Sequence, residues 1–149
     1  MSPDMAVEFT IVPIGKVQKS SDGVFIKIYR KYEKALKGLE QFSHIHVLYW
    51  FDQNDDKETR SILQVHPCNN KANPITGVFA THSPKRPNLI ALTRCRILSI
   101  SGTLIRIDDI DAFHKSPVID IKSYFPYSET ETGVRAPKWE RKKKKPNGD

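Results

Sequence analysis

An all-β dominated fold, a small β-barrel or a strongly curved antiparallel sheet with one short helix, is what this sequence predicts. Three observations predict it. About seven short runs alternate apolar and polar residues at the period of a strand. Turn chemistry separates several of them, as at Ser20-Ser21-Asp22-Gly23 and Ser101-Gly102. Only one segment carries helical periodicity, which excludes a doubly wound alternation of strands and helices. One domain over residues 1–133 and a disordered basic tail over 134–149 account for the 149 residues.

The elements follow in order. Glu8 to Val17 and Val24 to Tyr29 read as two strands of a hairpin, with Gly23 free to take positive φ. Tyr32 to Phe42 reads as the helix, with Ala35, Leu36, Leu39 and Phe42 on one face and Gly38 weakening it. His44 to Phe51 alternates strictly, Ile45, Val47, Tyr49 and Phe51 against His44, His46, Leu48 and Trp50, as a central strand should. Further strands are expected over Arg60 to His66, Val78 to Ala80, Leu89 to Ile100, Thr103 to Ile107 and Pro117 to Ile121. In the longest of these, Leu92, Arg94 and Arg96 share a face opposite Ala91, Thr93 and Cys95.

Charge and cysteine content narrow the class. Residues 134–149 hold seven Lys/Arg against Glu140 and Asp149, so most of the formal net charge of +7 sits in the tail and the domain is almost neutral. Cys68 and Cys95 show no CxxC or Cys/His ligand spacing, which argues against a disulfide scaffold and a structural zinc. His44 and His46 point the same way along their strand but lack a third clustered ligand, so no metal site is expected. No apolar run reaches the length of a membrane-spanning helix and the first residues lack a signal-peptide core, so the expectation is a soluble, cytoplasmic protein.

The polar turn in GVFATHSPKRPNLIALT, residues 77–93, is where function should lie. Pro84 and Pro87 fix φ and stiffen a connection carrying an imidazole, a hydroxyl, two cations and a carboxamide. HSPKRPNLIALT, followed by SPVIDIKSY at residues 116–124, resembles the TsaA-like family of β-barrel tRNA methyltransferases, whose pattern is close to RSPxRPNPIGLS followed by LDxxDGTPVLDIKPY. Upstream, KALKGLEQFSHIHVLYWFDQ at residues 34–53 is similar to the family's ALxGLEGFSHxxVLYxFHQ. Three ordered blocks with similar spacing span most of the chain.

The resemblance implies the same barrel, a homodimer, and S-adenosyl-L-methionine as cofactor. It implies a cofactor pocket at Asp52, Gln53, His82, Leu92, Asp109, Ile110, Asp111 and Ala112. Sequence alone would not have named that cofactor, since no GxGxxG follows a strand. The implied reaction is methyl transfer to the exocyclic nitrogen of threonylcarbamoyladenosine beside a tRNA anticodon. That nitrogen is a weak nucleophile and needs alignment and a base, for which Asp111 and His114 are the nearby candidates. For binding tRNA, the cations Lys85, Arg86, Arg94 and Arg96 on the barrel and Lys138, Arg141, Lys142, Lys143, Lys144 and Lys145 in the tail are the candidates. Departures from the pattern are His82 for Arg, Leu89 and Ala91 for Pro and Gly, Asp52 for His, and His114-Lys115-Ser116 for Asp-Gly-Thr. A non-catalytic RNA-binding barrel and a methyltransferase with another substrate stand as alternatives.

Overall fold

The structure is a computed structural model, and it describes residues 7–126 and 131–140. Eight strands and one α-helix follow in chain order: β1 Gly15–Ser20, β2 Gly23–Ile28, β3 His44–Trp50, α1 Lys57–Ser61, β4 Gln64–Val65, β5 Thr76–Gly77, β6 Ile90–Ser101, β7 Leu104–Ile107 and β8 Pro117–Ser123. Six of them close a barrel in the order β1-β2-β7-β6-β3-β8, and β4 pairs only with β5. Every pairing is antiparallel. Closure falls between β1 and β8, where Gly15 faces Val118 and Lys16 faces Pro117. A side chain at Gly15 would run into the Lys27 carbonyl of β2, so only glycine lets the strands meet there.

Period-two patterning fills the interior. Val17, Ile26, Ile45, Val47, Cys95, Ile105 and Val118 are fully enclosed, each aliphatic chain contributing about 1.5–3 kcal/mol by leaving water. In β3, Ile45, Val47 and Tyr49 point inward and His44, His46, Leu48 and Trp50 outward, as the alternation requires. In β6, Ala91 and Cys95 point inward while Leu92, Arg94 and Arg96 face out. The β1–β2 turn forms at Ser20 and Gly23, with Gly23 at φ +138°.

Four expectations are corrected. The segment from Tyr32 to Phe42 is two 3-10 helices, Arg30–Leu36 and Leu39–Gln41, separated at Gly38, whose φ of +91° ends any regular helix. The α-helix lies instead at Lys57–Ser61, and it takes Arg60 out of the expected strand, leaving only Gln64–Val65 to pair. Asp56 starts it as the N-cap, accepting the Thr59 N–H at 2.7 Å. Val78 to Ala80 is a 3-10 turn, because Val78 buries itself while Phe79 stays exposed and Thr81 N–H bonds back to the Val78 carbonyl. The first strand begins at Gly15 and not at Glu8, and Phe9 before it is 88% exposed.

Candidate cofactor and RNA site

The connection from Thr81 to Leu89 is rigid for reasons its residues supply. Arg86 Nη1 donates to the Thr81 carbonyl at 3.1 Å and the Ser83 carbonyl at 2.9 Å, so a half-buried guanidinium staples the loop from within. Ser83 N–H bonds to Thr81 Oγ1, and Lys85 N–H to Ser83 Oγ, which nests one polar turn inside the other. Leu89 is wholly buried and its carbonyl accepts the Phe51 N–H at 2.9 Å, tying the loop to the end of β3. Asp52 and Gln53 follow in the exposed 3-10 turn Asp52–Asn54.

A residue that sequence reasoning missed joins these two loops. Arg60 of α1 donates from Nε to the Pro87 carbonyl at 2.9 Å and from Nη2 to Asn88 Oδ1 at 3.4 Å. On its other side it pairs with Asp55 at 3.3 Å and lies 5.7 Å from the centre of the Trp50 ring, whose Nε1 donates to Asp55. One planar guanidinium with five donors can reach all of these at once. Reading Arg60 as part of a strand hid it, although the acidic pair Asp55-Asp56 just upstream was visible.

The third part is the link from β7 to β8. Ile110 and Ala112 are buried in the barrel core, so their side chains anchor the segment and only their backbone groups can meet a ligand. Lys19 Nζ donates to the Ile110 carbonyl at 2.7 Å, and Lys19 N–H donates to His114 Nδ1 at 3.0 Å. His114 is thereby an acceptor that holds β1 against this link. Asp109 Oδ1 accepts the Ile110 N–H, while Asp111 between the two anchors is exposed. Its charge reaches the interior. Burial pushes the Tyr49 hydroxyl above the ordinary tyrosine range, the Thr93 hydroxyl hydrogen-bonded to it at 3.5 Å pulls it back, and Asp111 raises it again.

Beside Tyr49, burial and the carboxylates of Asp108 and Asp109 push the Cys95 thiol up to about 12. Cys68 is exposed. A thiol reagent at neutral pH is therefore expected to label one cysteine of the folded protein, Cys68, and to reach the second only after denaturation. Fast labelling of Cys95 in native protein, read by peptide mass, would mean that the barrel opens.

A family model described as the tRNA-methyltransferase O N-terminal domain matches residues 8–130. The chain belongs to that family. It is 41% identical over 78% of its length, and 92% of the relative's, to a probable S-adenosyl-L-methionine-binding protein of Methanocaldococcus jannaschii. It is 43% identical, over 78% of its own length and 82% of the relative's, to a protein of the same description in Pyrococcus horikoshii. The human tRNA (adenine(37)-N6)-methyltransferase is 37% identical over 74% of this chain but only 24% of its own length. In structure, the barrel is similar to TrmO of P. aeruginosa, with TM-score 0.69, 24% identity, and coverage of 90% of this chain and 62% of that one.

Within this tRNA-methyltransferase O barrel, the nominated residues form groups. His82 and Lys85 line an open cavity of about 1080 Å³ whose other walls include Asn54, the segment from Gln64 to Asn69, and Arg135, Trp139 and Glu140. Asp52, Gln53, Leu92 and the Asp109 to Ala112 link are not among its described walls. Leu92 is 57% exposed on the outer face of β6, beside Leu48 of β3. Arg94 and Arg96 share that outer face. Lys138 is exposed, and Arg141, Lys142, Lys143, Lys144 and Lys145 lie outside the described residues. Among the described residues no three His, Cys, Asp or Glu side chains gather to hold a metal, and no helix is long and apolar enough to cross a membrane.

Proposed function

We propose that this chain is a methyltransferase that uses S-adenosylmethionine to modify tRNA, at the exocyclic nitrogen of threonylcarbamoyladenosine beside the anticodon. The observation that carries the reading is the family match over residues 8–130, supported by the bonds that tie the Arg86-Pro87-Asn88 turn and Leu89 to Arg60 and to Phe51, the residue before Asp52 and Gln53. The available groups suit such a cofactor. The Asp52 carboxylate can hold ribose hydroxyls or the methionine ammonium, the Gln53 carboxamide can read the adenine edge, His82 replaces the family arginine as a donor, and exposed Leu92 can cover the adenine ring. The backbone of the Asp109 to Ala112 link supplies further acceptors. The cofactor, when bound, supplies an electrophilic methyl group on a sulfonium.

In this reading Asp111 takes the proton from the attacking nitrogen, and its buried neighbours Ile110 and Ala112 keep the carboxylate in place. His114 serves as a structural acceptor for Lys19. Lys85, Arg94, Arg96 and the tail cations neutralise tRNA phosphates, and Arg86 contributes the donors that the loop does not use. The chain works in the cytoplasm as a homodimer. Supporting a dimer is the exposed apolar set Leu63, Ile75 and Phe79 on and beside the β4–β5 hairpin, at 61%, 62% and 83% exposure.

The test begins with S-adenosylhomocysteine. At about 100 times its dissociation constant, a ligand specific for the native state adds about 2.7 kcal/mol. For a domain of this size that raises the melting temperature by several degrees. Labelled methyl transferred from S-adenosylmethionine to tRNA, followed by nucleoside digestion, then identifies the modified base. No thermal shift and no heat of binding would leave a non-catalytic RNA-binding barrel, which the change of the family arginine to His82 favours.

A further inference from the structure

The outer face of β8, β3 and β6 carries, beside Arg94 and Arg96, an aromatic ring, two imidazoles and a lysine that the proposed function leaves without a role. Strand register sets its side chains in rows. Leu92, Leu48 and Asp120 lie abreast, Arg94, His46 and Lys122 come next, and Arg96 pairs with His44 beyond them. Tyr124, just past the end of β8, folds onto these rows. The Arg94 guanidinium lies 5.1 Å from the centre of its ring, His46 5.5 Å and His44 5.9 Å. Arg94 Nη1 also donates to the Tyr124 hydroxyl at 3.4 Å, and the Tyr124 N–H binds the His44 carbonyl at 3.2 Å, which fixes the ring over the strands.

Among the described residues, carboxylates offset this charge only at Lys122, through a long and exposed pair with Asp120. Asp120 takes the Ile121 N–H and a long contact of 3.8 Å with Lys122, and Asp108 takes the backbone N–H of Arg96. Among the described residues neither Arg94 nor Arg96 forms an ion pair. A cation stacked with a ring, two imidazoles and guanidiniums without ion pairs on the outer face of the barrel match the two things a nucleic-acid strand offers, phosphates and the faces of unpaired bases. An acidic peptide would use the charges and leave the ring idle. A duplex keeps its bases stacked inside, so the aromatic part selects for single-stranded RNA.

We propose that this face is a platform for a single-stranded RNA segment: Arg94, Arg96 and Lys122 hold its phosphates, and one unpaired base stacks on the Arg94–Tyr124 pair beside His44 and His46. The inference rests on the reading that tRNA is the substrate, and it adds the path the RNA takes. Leu92, one row along from Arg94, is a nominated cofactor residue, so nucleotides held here lead directly toward the reacting base.

The experiment uses fluorescence anisotropy of a labelled tRNA anticodon stem-loop, with a loopless RNA duplex as comparison, over a range of salt. S-adenosylhomocysteine calorimetry and sedimentation are run on the same proteins. Tyr124→Ala is expected to weaken stem-loop binding about 5- to 100-fold, more than duplex binding, while Tyr124→Phe keeps the stacking and stays near wild type. Replacing Arg94, Arg96 and Lys122 together by alanine should flatten the slope of log affinity against log salt by about 2–3 units, with cofactor affinity kept. If Tyr124→Ala does not fold, the Phe and triple variants still decide. A triple variant with wild-type affinity and slope overturns the proposal, as does one that dissociates a dimer in sedimentation, which would make the face a contact with a second copy. Wild-type protein that binds S-adenosylhomocysteine but no RNA would remove the tRNA reading itself, a failure visible before any variant is made.

Discussion

Asp111→Asn is expected to slow methyl transfer to tRNA by about 100- to 10,000-fold, the usual cost of losing a general base. The substitution is nearly isosteric, and the groups that position the segment are elsewhere: Ile110 and Ala112 sit in the core, and Lys19 Nζ holds the Ile110 carbonyl. Fold and cofactor affinity should therefore survive, as read by melting temperature and by S-adenosylhomocysteine calorimetry. Removing the charge also removes one of the influences that raise the Tyr49 hydroxyl, so the Tyr49 titration should move down towards the ordinary tyrosine range. His114→Ala gives the contrast. It deletes an acceptor of the Lys19 N–H, so it should lower stability with little change in single-turnover rate. A rate unaffected by Asp111→Asn would take that carboxylate out of the mechanism.

The barrel was legible because a half-buried strand writes its burial into alternation. β3 shows this best, with Ile45, Val47 and Tyr49 inward, and its pairing with both β6 and β8 makes it central as expected. Where alternation was short, the reading failed for a physical reason. Val78 to Ala80 buries one residue of three, too few to tell a strand from a turn. Lys57–Ser61 buries none, so its helix is set by the Asp56 cap and not by an apolar face. The site was legible only in part. Its loops came from the family blocks, but the Arg60 clamp depends on two segments 27 residues apart meeting in space, which no local pattern records. Likewise, the sequence put Arg94 with Arg96 and His44 with His46, but only the strand register set the two pairs and Lys122 in adjoining rows.

The basic tail gives the other large effect. Changing Arg141, Lys142, Lys143, Lys144 and Lys145 to serine is expected to lower tRNA affinity and to flatten its salt slope by up to about 3.5–4.5 units, since each phosphate contact contributes about 0.7–0.9. Substitution is a cleaner test than truncation after Pro137. Trp139 is half-buried and, with Glu140, lines the cavity that also takes in His82 and Lys85, so cutting there would remove a wall as well as charge. With Trp139 kept, melting temperature and S-adenosylhomocysteine affinity should not change. The loss should also be the same for tRNA and for unrelated RNA of equal length, because a run of cations contacts phosphates without reading bases. That separates it from Tyr124→Ala, whose loss should fall on RNA with an unpaired loop. If the serine variant keeps both affinity and salt slope, the tail is not an anchor, and the phosphates are held by Lys85, Arg94 and Arg96 on the barrel.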